Sequence, residues 1–183
     1  MYLSIPESTV FDPCDYDQME SIVRQLPGIE KGVTFTRFVR KDVIQVYEKG
    51  SQFEIGKGVV LHESENDVAT IISSGIVLDE ALQAEGISVR VIDMFTWKPL
   101  DEELVIKAAK ETGAIVTAEN HNTCCGLGSV VANCLAKNCP TVQEFVGVQD
   151  LFGQVGPQSF LMDEYGLRAA NIVEAVKKAI ARK

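Results

Sequence analysis

Long apolar runs, histidine and basic charge are all scarce in this sequence, and each shortage removes a class of function. No apolar stretch approaches the ~20 residues that a membrane-crossing helix requires. The opening MYLSIPESTVFDPCD has neither a basic n-region nor a continuous apolar stretch, so neither a span nor a signal peptide is expected. Lys and Arg number 17 against 26 Asp and Glu, a formal charge of −9. A surface that tracks nucleic-acid phosphates needs clustered cations, and nucleic acid is not an expected partner. The two histidines, His62 and His121, lie far apart, and the five cysteines (Cys14, Cys124, Cys125, Cys134 and Cys139) form no CxxC pair. Such spacing suggests neither a zinc site nor a disulfide framework. Free thiols acting as small hydrophobes in a reducing cytoplasm are the expectation.

What is present is an ordinary globular composition. With 46% hydrophobic and 23% charged residues over 183 positions, one well-buried domain and a smaller attached piece can be built. From about residue 58 the pattern alternates. GVVLHE and VATIISS (68 to 74) read as strands, GIVLDEALQAEG as a helix, and ISVRVIDM (87 to 94) as a further strand. Pro99 precedes Asp101, which suits a helix N-cap, and Gly113 closes the helix that follows. GAIVTAEN (113 to 120) is the next strand, HNTCCGLGSVVANCLAKN runs through a loop into a helix ending near Asn138, and TVQEFVGV is another strand. A short helix near PQSFLMDEYG and a final one, AANIVEAVKKAIARK, complete the chain.

Strands and helices alternating through short connections indicate a parallel sheet covered on both faces, because parallel strands need crossovers. The expected fold is therefore a doubly wound, three-layer α/β/α domain with a mostly parallel sheet over residues 51–183. A partial α/β segment over residues 1–50 precedes it: a strand in STVFDP, a helix in DYDQMESIVRQL and a strand in VTFTRF. That segment is too small for a second core and reads as the end of a domain.

Two groups of residues merit weighing on chemistry alone. Glu119 and His121 fall at the carboxyl end of an expected parallel strand, where open α/β sheets place ligands; the bland alternative is a hydrogen-bonded loop anchor. A Cys124 nucleophile activated by His121 would need an orienting third group and an oxyanion site, and nothing adjacent supplies both. GLGSVV (126 to 131) opens a helix after a strand, but a dinucleotide fingerprint would need glycine where Val131 stands, so helix packing accounts better for these glycines.

Taken in order, IPESTVFDPCDYDQME, ATIISSGIVLDEAL, VRVIDMFTWKPLDEE, GAIVTAENHNTCCGLGSVV and FVGVQDLFGQVGP resemble the transketolases. The resemblance covers nearly the whole chain. Residues 1–50 resemble the C-terminal remnant of a pyrimidine-binding domain with its linker, and 51–183 the transketolase C-terminal domain. Deoxyxylulose-phosphate synthase and the beta subunits of pyruvate dehydrogenase share that domain, although the tail is most similar to transketolases encoded as separate subunits.

The resemblance implies two-carbon ketol transfer between sugar phosphates within a larger assembly, a homodimer or heterotetramer that includes an N-terminal transketolase part. Thiamine diphosphate and Mg belong to the complete enzyme, and neither is expected on this chain alone, which the resemblance describes as a piece begun inside the pyrimidine domain and inactive by itself. It also places arginines at the mouth of the substrate channel. Arg40 is the better match for the group that holds the substrate phosphate and Arg37 the second, whereas two solvated arginines are the plain alternative. It assigns no catalytic, cofactor-binding or metal residue here. The main competing function is a non-catalytic α/β interaction module. Between Leu82 and Gly86 the family carries about six more residues, more than a turn of helix, so the first helix of the domain is expected to be short.

Overall fold

Residues 1–40, 42–84 and 86–183 are described by the computed structural model. The chain begins with β1 (Ser8–Phe11), α1 (Tyr16–Gln25) and β2 (Val33–Thr36), and continues as β3 (Val59–His62), β4 (Ala69–Ser73) and α2 (Val77–Leu82). Next come β5 (Val89–Asp93), β6 (Thr96–Lys98), α3 (Glu102–Thr112), β7 (Ala114–Asn122) and α4 (Leu127–Asn138). β8 (Val142–Val148), α5 (Gln158–Glu164) and α6 (Ala169–Ala181) end it.

Five strands form one sheet in the order β3-β5-β4-β7-β8. The pairs β4–β5, β4–β7 and β7–β8 are parallel, and β3 joins β5 antiparallel at the edge. Successive side chains on a strand face opposite ways, and the core divides accordingly. Ile71, Val91 and Val116 pack with Leu78 of α2 and Ile172 and Val176 of α6, whereas Ile72, Ile92 and Ile115 pack with Val105 of α3 and Leu127 and Val131 of α4. Sheet strands buried on both faces explain the unbroken apolar runs in the sequence. This is the three-layer, mostly parallel architecture expected.

Local chemistry fixes the element ends. The Asp101 carboxylate accepts from Leu104 N at 3.2 Å and so caps α3, and Gly113 leaves that helix at φ +68°. α2 runs only six residues, shorter than the 75–86 suggested by its pattern, and Glu85 of that stretch lies outside the described residues. Its Glu80 accepts from Ala169 N at 2.8 Å and Arg168 Nη1 at 2.9 Å, placing a carboxylate at the start of α6.

β6, in FTWKP, was not evident from periodicity, since three residues carry too little pattern. It pairs antiparallel with β1, which pairs parallel with β2, giving a second sheet in the order β2-β1-β6. Phe11 and Ile22 from the first fifty residues share a small core with Phe53 and Phe95 from beyond them. The N-terminal segment thus completes its packing with residues of the larger domain, as its size requires.

Candidate functional site

Arg40 lies four residues beyond the end of β2 and is exposed. It borders a cavity of about 470 Å³ with walls that include Ile76, Leu161, Met162, Tyr165 and Leu167. Asn120, Gln154 and Gln158 add polar groups, and Arg40 is the one charged side chain among the described lining residues. A cation at the rim of an apolar cavity, with amides beside it, suits an anionic group attached to an organic body.

Arg37 stands apart from that cavity. Its Nη2 donates to Asn120 O at 2.6 Å, its Nη1 lies 3.7 Å from Asp12 Oδ2, and its guanidinium carbon lies 5.3 Å from the centre of the Trp97 ring. Asp12 also accepts from Ser74 Oγ at 2.8 Å, and Ser74 Oγ in turn accepts from Trp97 Nε1 at 3.0 Å. Burial pushes the Asp12 carboxyl up, against the opposing pull of Arg37 and Ser74. This guanidinium joins β1, β6 and the end of β7, and it borders a different space of about 240 Å³ together with Trp97, His121 and Cys125.

Glu119 and His121 do come together, with His121 Nδ1 3.9 Å from Glu119 Oε2. Both Glu119 oxygens are already engaged: Oε2 accepts from Leu127 N and Oε1 from Gly128 N, each at 2.7 Å. The side chain of β7 therefore caps α4, whose own N-cap is Gly126. Burial dominates the Glu119 titration and pushes it up to about 7, although the two backbone donors pull it down. His121 is edge-on to Trp97, its Nδ1 lies 2.9 Å from Asn122 O, and burial holds its imidazole below the ordinary value. The pair anchors a loop. Sequence reasoning passed over Asp12, Ser74 and Trp97; an acid directly after an apolar strand, in VFDPC, was the available signal.

Cys14, Cys124, Cys125, Cys134 and Cys139 are all free thiols. Among the described residues no three His, Cys, Asp or Glu side chains converge as metal ligands. No helix among the described residues is long and apolar enough to cross a membrane.

A mostly parallel sheet covered by helices on both faces, with an arginine-rimmed cavity at its carboxyl edge, defines a three-layer α/β domain. Residues 56–172 match the family described as transketolase, C-terminal domain, and the chain belongs to that family. It is 39% identical to a 6-deoxy-6-sulfo-D-fructose transketolase subunit of Clostridium sp. (strain MSTE9), over 98% of this chain and 57% of that protein. To a putative transketolase C-terminal section of Methanocaldococcus jannaschii it is 34% identical, over 98% of this chain and 58% of that protein. A solved split-gene transketolase, described as an inactive beta4 tetramer, superposes with a TM-score of 0.91 at 41% identity, over 98% of this chain and 60% of the other. The chain spans between half and two thirds of each of these relatives. The family match falls on the domain described as C-terminal in transketolases.

Proposed function

We propose that this chain works within a thiamine-diphosphate-dependent transferase that moves a two-carbon ketol unit between sugar phosphates, and that Arg40 binds the anionic end of the sugar. The observation that carries the reading is the placement of Arg40, exposed at the rim of the 470 Å³ cavity and alone in charge among its described lining. A planar guanidinium offers two parallel donors to an oxyanion. Thiamine diphosphate with its Mg, held by an N-terminal part or subunit, would supply the chemistry of carbon–carbon bond exchange. This chain's share is to seat the substrate's far end so that the reacting carbon arrives in register. Alone, it is inert in ketol transfer. The description of the solved relative as an inactive beta4 tetramer supports that view.

A second reading puts a sulfo group at Arg40 in place of a phosphate, and it is favoured by the 39% identity to the 6-deoxy-6-sulfo-D-fructose transketolase subunit. Both anions present tetrahedral oxygens to the same fork. Co-expression with an N-terminal transketolase part, followed by ketol-transfer assays on phosphorylated, sulfonated and uncharged sugars, separates the two readings. Arg40→Ala is expected to raise KM for the anionic sugars by about ten- to a hundredfold, the worth of one charge-assisted pair, and to leave uncharged sugars nearly unaffected. Equal effects on charged and uncharged sugars would reject the assignment.

A further inference from the structure

Among the described residues between β2 and β3 there is no helix or strand, so the backbone that carries Arg40 is not held by a ladder. Two anchors bracket it. On the near side Arg37 N donates to Phe11 O at 2.9 Å. On the far side a single buried carboxylate gathers the chain. Asp15 Oδ2 accepts from Val46 N at 3.0 Å, from Tyr47 N at 2.8 Å and from Gln45 Nε2 at 3.0 Å. The other oxygen of Asp15 accepts from Gln18 N at 2.9 Å and caps α1. Gln45 Nε2 also reaches Asp17 Oδ2 at 2.9 Å, and Tyr47 Oη donates to Asp93 Oδ2 at 2.7 Å.

We infer that Asp15 is a positioning residue for Arg40, fixing the strap through which the guanidinium meets the substrate anion; this rests on the reading of Arg40 given above. An aspartate suits the task because a carboxylate has two acceptor oxygens and no donor. One oxygen terminates the helix and the other accepts the three strap donors. Asparagine retains only one acceptor oxygen, so it can cap α1 or hold the strap, and cannot do both. Phe38 and Ile44, on either side of Arg40, are largely exposed.

The test uses the enzyme assembled with its N-terminal part. Asp15→Asn should raise KM for anionic sugars roughly five- to tenfold, a fraction of what loss of the whole charge-assisted pair would cost. kcat should stay within about twofold and KM for uncharged sugars should barely move, with Asp15→Asn adding nothing once Arg40→Ala is present, because coupled residues do not act additively. Gln45→Ala, which loosens the strap and leaves the cap of α1 intact, should give the same selectivity at smaller size, and it carries the test if Asp15→Asn fails to fold. A uniform rise for all sugars, or effects of Asp15 and Arg40 that multiply, would overturn the inference. If Arg40→Ala spares anionic sugars, the anion site itself is misassigned and this inference falls with it. If Arg40→Ala behaves as expected and neither Asp15→Asn nor Gln45→Ala does, only the positioning role is lost.

Discussion

Asp93 shows how much of the molecule's electrostatics is set by single buried acids. It is fully buried, its Oδ2 accepts from Tyr47 Oη and Gln18 Nε2, and its Oδ1 has no hydrogen-bond partner. Burial pushes its titration up to about 7, against the two donors. The group is thus raised in the folded state, so its contribution to stability is complete below the unfolded value near 4 and is lost as pH rises through about 7. Glu119, raised in the same direction, adds to the trend. The wild-type chain should lose stability between about pH 5 and pH 8. Asp93→Asn presents one oxygen to the two donors and cannot ionise, so its advantage over wild type should be larger at pH 8 than at pH 5 in urea unfolding. A pH-independent difference would show that Asp93 is already charged at pH 5 and is not raised by burial. None of this was legible in VRVIDM, where an acid closing a strand looks like one about to meet solvent. Burial by Tyr47, more than forty residues upstream, is a tertiary fact.

At the level of elements, the β7–α4 junction separates what periodicity reveals from what it hides. The strand, the helix and their connection were readable from GAIVTAEN and GLGSVV, because buried strands and helix starts carry local signatures. That the glycines serve close packing was also readable. What they pack against was not. A Cβ on Gly126 would lie 1.7 Å from Glu119 Oε2, and one on Gly128 would lie 2.6 Å from the Phe145 ring. Gly126→Ala should therefore expel the carboxylate from the head of α4 and strand two backbone donors, a loss on the order of 3 kcal/mol or more. Gly153→Ala, where a Cβ meets nothing within 4 Å, should be nearly neutral. Thermal unfolding of both variants checks the contrast, and a Gly126→Ala chain as stable as wild type would mean that Glu119 does not cap the helix. Arg37 and Arg40 illustrate the same limit. Three positions apart in one motif, they enter separate environments, because both lie beyond the end of β2, where the pleat of the strand no longer governs direction.

For the whole molecule, the telling element is β6. The doubly wound, mostly parallel character of the larger domain followed from alternation, yet the antiparallel link to β1 joins segments too distant for any local pattern to announce. Trp97, the single tryptophan, sits on β6 in a core shared with Val10 of β1. Its fluorescence therefore reports the junction, whereas far-UV circular dichroism reports all helices and strands. If the first fifty residues and the larger domain unfold as one cooperative unit, the two melting curves should coincide. An earlier fluorescence transition would show that the N-terminal piece detaches while the five-stranded sheet persists.

The pairing of β1 with β6 also bears on how the chain is made. Phe11 meets Thr96 across that ladder, so β1 leaves the ribosome about 85 residues before its partner, a wait of roughly 4 to 17 seconds at ordinary synthesis rates. Over that interval the core that Phe11 shares with Phe95, and the one that Val10 shares with Trp97, are both unfinished. Synonymous codons that slow translation between β2 and β6 should prolong that interval and raise co-translational chaperone binding to residues 8–36.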